Sequence, residues 1–316
     1  MPRPTSSGAT PTSAAHRPKE LAAVTLKVDW RAEPKPWETT LRIPWGFGRN
    51  QLGIERFTGQ APIVPASFAV VPEGFWILDP GNRRIVLFNR TGDVVEEVGG
   101  VSQVASDLAV NPDGRPVIIN VEPDHELRTA ESGRLSAPIR LERLPYRLVQ
   151  DVFGVSVFGL TKRQVWLYAL DTNGNLDLDS PGAPLDSAQY LQLKLIDRAG
   201  TSHVVEFGNV WSRLFHLLGD GRPAMANATF GADLSIARNR VDFGLLMGSF
   251  YDYPPPRPLY HLSLSNEGKL LAYEKVEPSQ VDITNQSRYF AIGHDGRAYQ
   301  LWLGRDHVEI RVRPPS

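Results

Sequence analysis

The stretch "LDPGNRRIVLFNRTGDVVEEVG", Leu78 to Gly99, reads as two apolar strands joined by a polar turn at Thr91-Gly92, with a second turn at Pro80-Gly81-Asn82 ahead of them. The same layout returns along the chain. "VWLYALDTNGNLDLD" repeats it around Gly174, "RLFHLLGDGRPAMAN" around Gly221 and "LYHLSLSNEGKLLAY" around Gly268, with a weaker copy, "ELRTAESGRLSAPIRL", around Gly133. The steps between these glycines are all roughly 40 to 50 residues, a pace that unrelated hairpins would not keep.

A second set of turns runs about 20 residues ahead of the first, at Gly74, Gly114 and Gly200, so each period holds two hairpins and four strands. In the fifth period the first turn is expected near Arg238-Asn239-Arg240. Four-stranded units at this spacing are the blades of a β-propeller, with an inner strand A followed outward by B, C and D. Five units are complete. A sixth, "YFAIGHDGRAYQLWLGRDHVEIRVR" around Gly296, supplies three strands and stops. The missing strand is expected from the N-terminal side, where "AVTLKVDW" (Ala23 to Trp30) and "TTLRIPWG" (Thr39 to Gly46) are strand-like. The fold class expected is therefore all-β: a six-bladed propeller of four-stranded blades over residues 21–316, its ring closed by an N-terminal strand. Twenty-six prolines and 27 glycines interrupt the chain too often for long helices, and a pair of β-sandwiches would not keep the two-turn beat.

Residues 1–20, "MPRPTSSGATPTSAAHRPKE", hold almost nothing large and apolar and are expected to form a disordered tether. They lack the apolar stretch of a signal peptide, yet a Ser/Thr/Pro-rich leader often follows a removed signal or lipid anchor. Placement outside the cytoplasm, secreted or surface-tethered, is the expectation, with a cytosolic protein as the alternative. A net charge of -1 gives no footprint for nucleic acid. The absence of cysteine removes disulfides, thiolate metal sites and a cysteine nucleophile. No window approaches the roughly 18 apolar residues of a membrane helix.

Ser67 to Gly99 resembles an NHL-type repeat, with Glu73-Gly74, Asp79, Asn82, Arg84-Ile85, Phe88 and Gly92 at the motif positions. The second unit replaces them with "IINVEPDHELR", and later units keep only turns and strand patterning. The resemblance implies a propeller and no particular activity. Asp79 and Arg84 are read as a bidentate pair across the B-to-C turn, and Asn82 as bonded within it, which makes all three local staples.

In a propeller the B-to-C connections crowd one face, and the binding candidates are taken from them. They are Asp124 and His125 in "EPDH", Arg163 in "TKR", Phe250, Tyr251 and Tyr253 in "SFYDYPPPRP", and Arg305 and Asp306 in "GRD". The fifth-unit loop is the longest, and its prolines and aromatics suit a recognition surface. "DTNGNLDLD" (Asp171 to Asp179) has alternate oxygen-bearing side chains, but its glycine position breaks the EF-hand pattern, so it is read as a C-to-D turn. Asp124, His125, Asp306 and His307 are candidate acid-base or metal groups meeting across the channel mouth, and no metal or catalytic motif supports them.

Two functions from different classes result. One is a non-catalytic binding or scaffold module whose loop face holds a protein, glycan or small ligand, with no cofactor; a variant makes the disc a subunit docked in a larger assembly. The other is a propeller hydrolase or lyase of the lactonase kind, with calcium in the central channel. Its candidate ligands Asp107, Asn120, Asp151 and Asp197 are scattered and unsupported by any motif.

Overall fold

Alternation along the first repeat explains its packing. In the computed structural model, Phe68, Val70, Phe75, Ile77, Val86 and Phe88 point to one side of their sheet and Ala69, Val71, Trp76, Leu78, Ile85 and Leu87 to the other, and all are buried. A strand buried on both faces loses the apolar/polar alternation of a surface sheet and reads as a continuous apolar run.

The structure describes residues 24–28, 33–111, 114–120, 125–141, 145–150, 155–160, 165–169, 183–184, 190–196, 202–208, 213–219, 234–237, 240–246, 259–265, 270–281, 288 and 290–314. These are nearly all β. The chain opens with β1 (Val24–Val28) and β2 (Glu38–Pro44). The first sheet is the antiparallel meander β3 (Ser67–Val71), β4 (Gly74–Asp79), β5 (Arg84–Asn89) and β6 (Val94–Gly99), with a single 3-10 turn, Pro80–Asn82, between β4 and β5. The second has β7 (Ala105–Val110), β8 (Pro116–Asn120) and β9 (Glu126–Glu131), whose outer edge is shared by β10 (Arg134–Leu135) and β11 (Ile139–Arg140). The third is β12 (Pro145–Gln150), β13 (Val155–Leu160), β14 (Val165–Ala169) and β15 (Ala183–Pro184).

The fourth sheet contains β16 (Tyr190–Ile196), β17 (Ser202–Gly208) and β18 (Arg213–Gly219). The fifth returns to the meander with β19 (Leu234–Ala237), β20 (Arg240–Leu246), β21 (Leu259–Ser265) and β22 (Leu270–Val276). The sixth has β23 (Phe290–Ile292), β24 (Ala298–Leu303) and β25 (His307–Val312). Its fourth strand is β2, antiparallel to β25 from Glu38 opposite Val312 to Pro44 opposite His307. The missing outer strand is thus supplied from the N-terminal side, by "TTLRIPWG" and not by "AVTLKVDW".

The first, second, third, fifth and sixth sheets pack against one another, and the core described here lies between them. Phe75 meets Tyr299 of the sixth sheet edge-on at 5.7 Å, while the opposite face of the first sheet covers Ala105, Leu108, Val110 and Ile118 of the second. Ala109, Val117, Ile119 and Leu127 carry the packing on to Leu148 of the third. Truncating one of these fully buried aromatics removes transfer energy and opens a cavity, about 3–5 kcal/mol in all. First strands touch first strands: β3 packs on β7, β7 on β12, β12 on β19, β19 on β23, and β23 on β3. A circle of inner strands of this kind is a propeller's axis.

The fourth sheet departs from the expected meander. Its β16–β17 hairpin forms where Gly200 predicts it, but β18 pairs parallel with β16, and β1 adds parallel to β18, giving the order β1-β18-β16-β17. Among the described residues the strands form six sheets, while the circle of contacting first strands runs through five, passing from β12 directly to β19. No helix among the described residues is long and apolar enough to cross a membrane. The 1–20 segment and the "DTNGNLDLD" turn lie outside the described residues.

Candidate functional site

Register fixes which ends of the strands share a face. Ser67 at the start of β3 lies opposite Leu78 at the end of β4, and Ala105 at the start of β7 opposite Asn120 at the end of β8. First-strand starts, B-to-C turns and the connections that lead into each first strand therefore gather on one side, the loop face.

At the centre of that face the inner strands are tied by Arg288, just ahead of β23. Its Nη2 donates to Asp107 Oδ2 at 3.1 Å and to Leu148 O at 2.8 Å, and its Nε reaches Asp107 Oδ1 and Ser67 Oγ, both at 3.3 Å. Ser67 Oγ and Leu148 N add hydrogen bonds to Asp107 at 2.6 and 2.9 Å. One guanidinium thus joins four sheets. Asp107, a candidate calcium ligand from the sequence, faces this cation and the donors Ser67 Oγ, Leu148 N and Leu108 N. Asn120 Oδ1 is buried without a hydrogen-bond partner at the end of β8, and Asp151 and Asp197 lie outside the described residues. Among the described residues no group of three His, Asp or Glu side chains is arranged to hold a metal.

Three other carboxylates are also buried against cations. Asp79 accepts from Gly53 N at 2.9 Å, Asn82 Nδ2 at 2.8 Å and Arg84 Nε at 3.2 Å. Burial outweighs these donors and pushes its carboxyl above the ordinary value of 3.8. The expected bidentate pairing is not what forms. Arg84 divides its fork among Asp79, Glu97 and the carbonyls of Gly48 and Gln51, because the 46–53 connection lies directly on the turn and offers those acceptors. The approach there is backbone on backbone: a Cβ on Gly53 would stand 2.7 Å from the carbonyl carbon of Gly81.

Glu274 in β22 takes Arg313 Nε at 2.7 Å and Trp37 Nε1 at 3.2 Å, with Lys35 Nζ at 3.5 Å and His261 Nδ1 at 3.7 Å. Glu309 in β25 takes Arg311 Nε at 2.6 Å, Arg42 Nη2 at 2.7 Å, His307 Nε2 at 2.9 Å and Thr39 Oγ1 at 3.0 Å. Burial raises both acids, but for Glu274 the bonds and charges of His261 and Arg313, and for Glu309 the bonds from Arg311, His307, Arg42 and Thr39, outweigh it, leaving each at about 2. His307, weighed as a partner of Asp306 at the channel mouth, instead bonds Glu309 two residues on. In a strand i and i+2 share a face whereas i and i+1 do not.

Off centre, the loop face holds a cavity of about 550 Å³ between three connections. Arg56, Phe57 and Gln60 come from the loop between β2 and β3, Gln280 from the run after β22, and Arg305 and Asp306 from the β24–β25 turn. The walls are braced. Glu55 and Ile63 exchange backbone hydrogen bonds at 2.9 Å and close the first loop, Gln103 Nε2 donates to Glu55 at 2.6 Å, and Trp45 Nε1 donates to Gly304 O at 2.9 Å. Gln280 N and Val281 N donate to Leu303 O, and Arg305 N donates to Gln280 Oε1 at 3.3 Å, so the second and third walls are joined.

Of the eight residues expected to bind, Arg305 and Asp306 line this cavity together. His125 adopts a left-handed φ of 48° in the turn before β9, where its carbonyl accepts from Leu141 N at 2.8 Å, and it is not one of the cavity's residues. Asp124, Arg163, Phe250, Tyr251 and Tyr253 lie outside the described residues. Arg56, Phe57, Gln60 and Gln280 were not anticipated. They sit in connections from an outer strand to the next inner one, which reach the same face as the B-to-C turns but carry no repeating motif; that shared face was the signal available.

Fold and cavity together define a β-propeller with a polar loop-face cavity. No protein-family model matches the chain, and no curated protein is similar to it in sequence. Similar solved structures include hydrazine synthase of Kuenenia stuttgartiensis, at 15% identity and TM-score 0.42 over 77% of this chain and 76% of that one. A glucose dehydrogenase is 15% identical at TM-score 0.45, over 80% of this chain and 96% of its own. A protein of Bacteroides fragilis is 11% identical at TM-score 0.46, over 93% of this chain and 100% of its own.

Proposed function

We propose that this protein is a non-catalytic binding module that holds its ligand in the loop-face cavity, on a propeller of six repeat units in which the fourth is irregular. The observation that carries this reading is a contrast in how charge is placed. Asp79, Asp107, Glu274 and Glu309 are buried against arginines, whereas Arg56, Arg305 and Asp306 stand exposed at the cavity without ion-pair partners among the described residues. Buried, bonded carboxylates serve the scaffold; unpaired charges converging from two of three braced loops suit recognition. An extracytoplasmic setting belongs to this reading and rests on the Ser/Thr/Pro-rich composition of residues 1–20.

The test is to block the cavity. Gln60→Trp and Gln280→Trp fill it with indole while leaving the strands untouched. A thermal-shift screen of carbohydrates, organic acids, nucleotides and peptides should yield ligands that stabilise the parent chain, with each shift abolished in both variants. Hits that survive both substitutions would refute the site. The lactonase alternative is examined in the same series: calcium-dependent lactone hydrolysis lost on Asn120→Ala or Asp151→Ala would replace the binding reading.

A further inference from the structure

We infer that the ligand class of this cavity is an acidic saccharide, a sugar carrying a carboxylate, a deepening that rests on the binding reading above. Two guanidinium groups, Arg56 and Arg305, face one space and neither forms an ion pair among the described residues. A planar fork matches a carboxylate through paired N–H donors, and two of them leave an uncharged ligand to desolvate cations without return. The excess is one positive charge, because Asp306 shares the wall.

Asp306 separates the candidate anions. A phosphate with two charges placed between the arginines would also face this carboxylate, whereas a single carboxylate leaves Asp306 to accept from neighbouring hydroxyls, for which a carboxylate is a strong acceptor. The remaining walls fit the same ligand. Gln280 has its Oε1 engaged by Arg305 N, which leaves its amide N–H groups to donate, and Gln60 offers both a donor and an acceptor. Phe57, 41% exposed beside these groups, gives a flat apolar face for the C–H side of a sugar ring. A volume of about 550 Å³ lies within the roughly 300–1,000 Å³ usual for small-molecule sites.

The experiment is calorimetric titration of the full chain with a galacturonate trimer, its neutral galactose counterpart and a nucleoside monophosphate. The acidic trimer should bind at least tenfold more tightly than the neutral one, and the preference should shrink as salt rises from about 50 to 500 mM, since exposed charges are screened. Arg56→Gln and Arg305→Gln should each cost about tenfold for the acidic sugar and several-fold less for the neutral one, and Phe57→Ala should weaken both. Equal binding of acidic and neutral sugars, tighter binding of the nucleotide, or arginine variants that bind as the parent does would overturn the acidic-saccharide inference while the binding module stands. No binding of any of the three would also overturn it. Loss of the module itself is a separate result, read from ligands that ignore Gln60→Trp and Gln280→Trp.

Discussion

Asp79 in the first sheet and Glu309 in the last are both buried carboxylates beside arginine, and they titrate in opposite directions. Asp79 has one arginine, whose fork it shares with three other acceptors, and burial wins. Glu309 gathers two arginines, a histidine and a threonine hydroxyl, and the donors win. Asp79 is also the more deeply buried of the two, so the balance of desolvation against committed donors decides the direction, not the mere presence of a cation. The two sites also bind different things together. Asp79 holds a loop to a turn through residues close in sequence, and Glu309 holds β2 to β25, near opposite ends of the chain.

Replacing Asp79 by Ala removes one acceptor of buried Arg84, which keeps Glu97, and leaves Gly53 N without its partner, freeing the 46–53 connection at the turn; denaturant unfolding should lose about 3–5 kcal/mol. Glu309→Ala should cost less, about 1.5–3 kcal/mol, because Arg311 keeps Glu277 at 2.8 Å and the Trp302 ring at 3.7 Å, and the 63%-exposed Arg42 returns to water. A larger loss at Glu309 than at Asp79 would invert the comparison. Gly53→Ala tests the loop alone, with a smaller loss of about 1–3 kcal/mol by forced overpacking on Gly81.

Acid titration sharpens the contrast further. The folded Glu309 value of about 2 lies below its ordinary 4.5, so its contribution is complete above pH 4.5 and is lost as pH falls toward 2. Glu309→Gln should flatten that part of the acid-unfolding curve. Asp79 is raised, so its ionisation opposes folding and stability gains as pH falls through its folded value; Asp79→Asn should leave the acid-side loss of stability in place. The smallest effect is expected at Arg42→Ala, no more than about 0.2–1 kcal/mol for an exposed partner.

How far the sequence could be read follows the same division. Asp79, Asn82 and Arg84 fall within six positions on a repeating turn, so their local role was visible, as were most of the hairpins and the need for an N-terminal strand. The acceptors that split Arg84's fork were not, since nothing in the turn says that Gly48 and Gln51 lie on it. Glu309's donors Thr39 and Arg42 come from a strand whose pairing emerges only after the whole sheet order is known. The parallel pairing of β18 with β16 was equally hidden, because a glycine beat specifies where hairpins turn and not which neighbour a third strand chooses. At the cavity, Arg305 and Asp306 were legible through their place in the B-to-C turn of the sixth unit, while Arg56, Phe57, Gln60 and Gln280 occupy aperiodic connections.

The pairing of β2 with β25 also sets an order of events during synthesis. β2 leaves the ribosome early, yet its partner is made only after some 270 further residues, a wait on the order of ten seconds to a minute at usual elongation speeds. Through that interval the nascent chain carries an unmated strand, and the sixth sheet has no template until translation is nearly over. Slowing elongation should therefore lengthen the time for which the emerging polypeptide depends on chaperones, and a permuted gene that encodes β2 directly after β25 should relieve that dependence.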